Sequence, residues 1–411
     1  MSTSPERPRS ALRDLTAPAI WALGLVSVLS LLVQVVRAQL IEVAGGCGWD
    51  GGQYCLMAEG QPEVIAPFNR RVLVPWLVHL LAPDRSVDGF RIVNAVALLG
   101  AAVALVWLGR RLGLTHPLHL TALVALFLLN PWTVRLYLSY PVLTDPTSLA
   151  LLLVWCALVL TARPWAPALG VVVLVVLVLT REQWALVGVP AAWLAVLLGL
   201  RRAWWGLATT AVAAAAAFYA VTRPRTRAAR GLGALLDYFW QDVSTSPTHA
   251  ARFVFMVVSG LGLVALVVLA RLHTVAADRR LLWITSVAAG TFGITVLGGS
   301  DVDRILVPVG VLLTVVATVL VSRDDRLAVP WVFLVVATVL LWHPFHTVPG
   351  DPAGWLEFYG LRLQPIDAVA ERLRSDAALV LLPVLCAVAY GIRTLREPPS
   401  PAGPREFLGV R

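Results

Sequence analysis

The sequence predicts an all-α fold, a polytopic transmembrane helical bundle of about twelve helices, and three observations predict it. Of the 411 residues, 58% are hydrophobic and only 14% charged, against an apolar share of about 45–50% in soluble domains. The mean hydropathy is +0.78. The apolar residues come in long runs, and the basic residues, all of them arginine, punctuate the ends of those runs. A formal charge of +9 would suggest a nucleic-acid partner in a soluble chain. Here it has the distribution of topogenic charge, which argues against nucleic acid and for membrane lipids as the surroundings.

Taken in order, residues 1-16 are polar and carry Arg7, Arg9 and Arg13, as a cytoplasmic N-terminal segment would. The run 17-36 is long enough to cross a bilayer at 1.5 Å per residue, and no small-residue cleavage site follows it, so it reads as a first span rather than a signal peptide. Further apolar runs fall at 89-108, 118-137, 147-162, 166-180, 183-199, 204-221, 251-270, 281-297, 304-321, 328-342 and 376-393. Those bordering Arg163-Pro164 and Arg181-Glu182 are short for a full crossing. Together 17-393 form a single transmembrane domain, and 394-411 a cytoplasmic tail containing the proline-rich stretch Pro398 to Pro404.

Starting inside, alternation assigns Arg110, Arg111, Arg163, Arg201, Arg202, Arg271, Arg279, Arg280, Arg323 and Arg326 to short cytoplasmic connections. That density sets the orientation, with both termini in the cytoplasm and the chain in the cell membrane. The outer face receives the longer loops 37-88, 130-146, 222-250, 298-303 and 343-375. These loops carry nearly as many arginines as the inner face, more than topology requires, which suggests an anionic ligand there. Translocation of long loops regardless of charge is the plainer explanation.

Specific positions on that outer face carry chemistry. Trp49, Asp50, Gln53 and Tyr54 lie among glycines that permit close backbone approach to a ligand, with aromatic rings suited to a sugar face. Asp50 is a candidate general base, or else a turn residue capping a helix begun near Tyr54. Arg70 and Arg71 lead into a half-polar helix ending near Leu81. A guanidinium pair there suits a phosphate, or simply snorkels to headgroups. Asp145, just before Pro146, is either an N-terminal helix signal or a second carboxylate of the same cavity. Arg181 and Glu182 form a tight charged hairpin, and charges there sit at the membrane boundary or face a watery cavity.

Asp301 and Arg304 open another apolar run, as a helix cap or as ligand groups. Arg223, Arg225, Arg227 and Arg230 precede a weakly interfacial stretch, Leu232 to Trp240. His343, His346 and Asp351 are too commonplace near helix ends to assign a metal. Cys47 and Cys55 bracket Asp50 in one outer loop and are candidates for a disulfide. Cys156 and Cys386 lie within apolar runs, as packing residues do.

The order of Trp49-Asp50-Gly51, Tyr54, Pro67-Phe68, Arg71 to Pro75, Asp145, Arg181-Glu182 and Asp301 to Arg304 before Pro308 resembles the GT-C superfamily of polytopic membrane glycosyltransferases, of the PIG-V-like mannosyltransferase type. The resemblance spans most of the chain in topology but only short motifs in sequence. It implies transfer of a sugar from a polyprenyl-phosphate-linked donor to a hydroxyl of a lipid or glycan acceptor, at the outer membrane face. By that resemblance Asp50 is the catalytic base, and Arg70, Arg71, Arg181 or Arg304 hold the donor phosphate. This chain has one acid in the first loop where some members have a pair, which leaves dependence on a divalent metal open. A membrane transporter, a lipid flippase and a noncatalytic assembly protein are the competing expectations. The gathering of charge on one face and the lack of an inverted repeat favour the enzyme.

Overall fold

A computed structural model describes residues 43–61, 68–222, 247–296, 302–342 and 380–391, with isolated positions at 25, 28, 29, 32, 40 and 64. All regular structure among them is helical. The helices are α1 Trp49–Ala58, α2 Leu73–Leu81, α3 Ser86–Arg111, α4 Pro117–Leu129, α5 Leu136–Ser139, α6 Asp145–Val159, α7 Ala166–Thr180, α8 Gln183–Leu197 and α9 Ala203–Thr222. After them come α10 Pro247–Leu261, α11 Ala265–Ala270, α12 Leu272–Ala277, α13 Arg279–Val296, α14 Val302–Ile305, α15 Val307–Arg323, α16 Ala328–Trp342 and α17 Val380–Gly391. The expected first span, 17–36, lies almost wholly outside the described residues, as do the 223–246 arginine segment and the 343–379 loop with its two histidines.

The described residues bear out the all-helical fold expected from the sequence. Among the described residues one helix, α3, is long and apolar enough to cross a membrane, or two spans if the bent pair Pro117–Leu129 and Pro131–Ser139 counts as one. Six of the others, α6, α7, α8, α15, α16 and α17, are apolar helices of 10–17 residues. The runs break where the backbone demands it. At Asn130–Pro131 the proline removes an N–H, a π turn covers Pro131–Arg135, and the two halves bend by 49°. At Gly262 the backbone turns at φ 72°, a conformation that costs glycine little. The amide freed there, on Leu263, donates to Thr338 Oγ1 at 3.0 Å. Broken helices in apolar surroundings persist when freed groups find partners in this way.

Helix α6 is the centre of the packing, lying between α3 and α7, while α9 covers α7 and α8, and α13 packs on α8 and α15. Trp155 of α6 stacks on Trp205 at 6.4 Å and meets Trp283 at 5.5 Å, joining α6, α9 and α13 in one buried aromatic core. Helix α3 is apolar on both sides. Phe90, Ala101, Leu105 and Leu108 are buried, while Ile92, Val96, Leu99 and Val103, spaced by four, three and four residues, form an exposed stripe. Helices of water-soluble bundles present a polar stripe there.

Charged groups collect at two ends. At one, Arg271 pairs with Asp324 at 2.9 Å and Arg323 with Asp278 at 2.7 Å. Arg280 and Arg323 also reach the carbonyls of Arg111 and Leu112 at the end of α3. Burial alone would raise the Asp278 carboxyl, but the Arg323 hydrogen bond and the amides of Leu281 and Arg280 hold it below its ordinary value. The other end is reached at the opposite terminus of α3.

Candidate functional site

Five of the predicted charged residues meet at that other end, drawn from four parts of the chain. Helix α7 ends at Thr180, Arg181 follows in extended conformation, and α8 begins at Gln183 just after Glu182, so the adjacent side chains of Arg181 and Glu182 leave the hairpin in different directions. Arg181 forms an ion pair with Asp145 through Nη2 and Oδ1. Glu182 faces Arg71, with Oε2 3.6 Å from Nε. Arg71 also donates from Nη1 to the Tyr54 hydroxyl at 2.8 Å, and its guanidinium lies 5.6 Å from the Phe68 ring centre, within cation–π range. Arg304 comes from the short helix α14 and is 5% exposed. It lines a cavity of about 20 Å³ together with Asp145, Arg181, Thr133, Ser148 and Trp184, a volume that suits about one water.

The electrostatics follow from that geometry. Burial alone would raise the carboxyl of Asp145, which stands just outside the apolar run of α6. The guanidinium of Arg181, then those of Arg304 and Arg71, outweigh it and hold Asp145 below the usual carboxylate range. Burial would likewise depress Arg71, but Tyr54 and Glu182 prevail and it stays firmly charged, above its ordinary value. Asp145 Oδ2 is buried without a hydrogen-bond partner. An ionised carboxylate oxygen lacking a donor is a ready acceptor for a substrate hydroxyl.

Polar ties set the frame. Asn94, buried on α3, donates to the carbonyls of Pro141 and, at 2.8 Å, Leu143, fixing the segment that delivers Asp145. The Trp184 indole donates to Ser148 Oγ at 2.6 Å and locks the start of α8 to α6. Helix α1 docks by its own contacts. The Gly51 N–H donates to the Tyr140 hydroxyl at 2.8 Å, and a Cβ at position 51 would overlap Val142. The carbonyl of Ala58 meets His79 Nδ1 at 2.7 Å. Cys47 and Cys55 form a disulfide with Cα atoms 6.2 Å apart.

Set against the sequence-based expectations, Arg71, Asp145, Arg181, Glu182 and Arg304 come together. Asp145 starts α6 and pairs through Oδ1 with Arg181, and the residue before α6, Thr144, makes no side-chain cap. Tyr54 is a correction. It is 2% exposed, edge-on to Phe68 at 5.5 Å, and supports Arg71 instead of offering an open face to a sugar. The helix around it begins at Trp49, five residues earlier than the spacing suggested. Gln53 is half-buried on α1, and Arg70 half-buried at the end of the turn Phe68–Arg70. Among the described residues Arg71, not Arg70, joins the ion cluster. The side chains of Trp49 and Asp50, and Asp301 entirely, lie outside the described residues.

Sequence reasoning missed Tyr140 and Asn94 as supports. The only signal for either was its polarity within or beside an apolar run. Among the described residues no group of three or more His, Cys, Asp and Glu side chains is arranged to hold a metal ion. Among the described residues, Asp145 and Glu182 are each matched by an arginine. Compared with protein-family models, curated proteins and solved structures, the chain gives no match.

Proposed function

We propose that this chain is a membrane-embedded glycosyltransferase that moves a sugar from a polyprenyl-phosphate donor to an acceptor hydroxyl at the outer membrane face. The observation that carries the reading is the convergence of Arg71, Arg181 and Arg304 with Asp145 and Glu182 at the end of the bundle where α1 docks. Embedding in a bilayer is supported by the exposed apolar stripe of α3 and by the division of ion pairs between two ends of an apolar body.

In this reading the acceptor oxygen attacks the anomeric carbon, the bond from that carbon to the phosphate oxygen breaks, and the leaving phosphate gains charge. Arginines already held in place by Asp145, Glu182 and Tyr54 meet that charge without reorganising, and losing one such donor costs on the order of 10²–10³ in rate. Asp50 takes the hydroxyl proton. Asp145 is ill suited to that task, because three cations keep it ionised and weakly basic, but its Oδ2 suits a sugar hydroxyl. The cavity is too small for a head group. The donor therefore approaches from the Arg71–Glu182 side, where those side chains keep 16% and 24% exposure.

The test is transfer of labelled sugar from a polyprenyl-phosphate donor by the purified chain in lipid vesicles. Asp50→Asn is expected to abolish transfer while leaving the thermal unfolding curve in place. Retained transfer in that variant would remove the base assignment, and no transfer by the parent chain with any polyprenyl-phosphate sugar would remove the reading itself.

A further inference from the structure

Helix α1 starts from poor material. Gly48 precedes it at φ 54° without a side-chain cap, and Gly51 and Gly52 occupy its first turn, although glycine is among the weakest helix formers. Two ties from outside the turn hold it. One is the Tyr140 hydroxyl, buried against the Gly51 amide. The other is covalent, the bridge from Cys47, just before the turn, to Cys55, a turn and a half into the helix. The remainder of α1 has separate anchors, with Tyr54 on Arg71, Ala58 on His79, and Glu59 accepting from Ser86 at 3.2 Å. Losing the bridge would therefore leave the first turn held by the single Tyr140 hydrogen bond, while the rest stays docked.

We infer that the Cys47–Cys55 disulfide is a redox-controlled clamp on the turn Trp49–Gly52, holding the backbone of Asp50 against Tyr140 when oxidised and releasing it when reduced. Cys55 is buried and Cys47 only half-buried, so a reductant reaches the bridge from the Cys47 side. The reductant is a dithiol. Its thiolate attacks one sulfur and displaces the other, its second thiol resolves the mixed disulfide, and it leaves as a disulfide. Two electrons and two protons end on the Cys47 and Cys55 thiols. Disulfides form in oxidising compartments, so in this reading the bridge and the ion cluster beside it face that side of the membrane. The effect on transfer rests on the function proposed above, whereas the clamp itself does not.

Amide hydrogen exchange on the full-length chain in lipid nanodiscs tests it, comparing oxidised protein, protein treated with dithiothreitol, and the double variant Cys47→Ser with Cys55→Ser. The amides of Gly51, Gly52 and Gln53 are expected to exchange at least tenfold faster without the bridge, with α2 and α3 unchanged, and to recover on reoxidation. Unchanged exchange in the turn would show that Tyr140 alone suffices, and equal acceleration across α2 and α3 would make the bridge a general staple. Either result overturns the clamp. Sugar transfer is measured on the same samples and is expected to fall on reduction and return on reoxidation. Local release with no transfer in either state would uphold the clamp and reject the glycosyltransferase reading.

Discussion

Asp145 and Arg181 are mostly buried and oppositely charged, and each is costly without the other. Removing one partner of such a pair typically costs about 3–5 kcal/mol, whereas replacing both by apolar side chains of similar size is often neutral. Asp145→Ala is therefore expected to lower unfolding stability in detergent by about that amount, and Asp145→Leu with Arg181→Met to restore most of it while failing to bind donor. Equal loss in single and double variants would contradict a pairwise role. The pH dependence has a definite sign. A carboxyl held below its unfolded value of about 3.9 stabilises the fold fully above that pH and loses its contribution only as pH falls through the lower folded value. The stability gap between the parent and Asp145→Asn should thus stay constant from pH 5 to 8, followed by thermal unfolding at each pH.

Individual elements here depend on close approach more than on helix length. Gly310 of α15 lies against α10, where an added Cβ would overlap the Gly260 carbonyl and stand 3.1 Å from the Leu261 carbonyl oxygen. Small residues at such crossings let backbones touch in apolar surroundings. Because the neighbour is backbone, it cannot swing aside. Gly310→Ala is expected to destabilise by about 1–3 kcal/mol, the usual range for overpacking. Gly100→Ala on α3, where the added Cβ meets nothing within 4 Å, should be neutral or slightly stabilising. Thermal unfolding of the two variants side by side separates a packing effect from a general intolerance of alanine.

At the scale of the whole molecule, the ion pairs at its two ends make topology testable. With Cys156 and Cys386 replaced by alanine, a thiol introduced by Asp84→Cys, between α2 and α3, and one introduced by Arg280→Cys should react with a membrane-impermeant maleimide from opposite sides of sealed vesicles. Labelling of both from one side would overturn the arrangement. Composition made the all-helical fold legible, since runs this apolar leave few alternatives. The charged members of the cluster were legible because Arg71, Asp145, Arg181, Glu182 and Arg304 stand out against such a background. Their pairing was not. Arg181 passes over its neighbour Glu182 for Asp145, a choice made by the directions in which α7 ends and α8 begins. Tyr140 was hidden because its bond to Gly51 spans 89 positions, and the break at Gly262 because its glycine looks like any other inside an apolar run.

The Arg181–Glu182 hairpin serves two ion pairs at once, and this constrains its length as tightly as its composition. One residue step sends a cation toward α6 and an anion toward the segment before α2. An insertion there would rotate the start of α8 by about 100°, turn the anion away from Arg71 and strain the Trp184–Ser148 tie. The connection therefore works as a crossbar between α6 and the segment before α2, and a displacement of either is transmitted to the other through a single peptide unit.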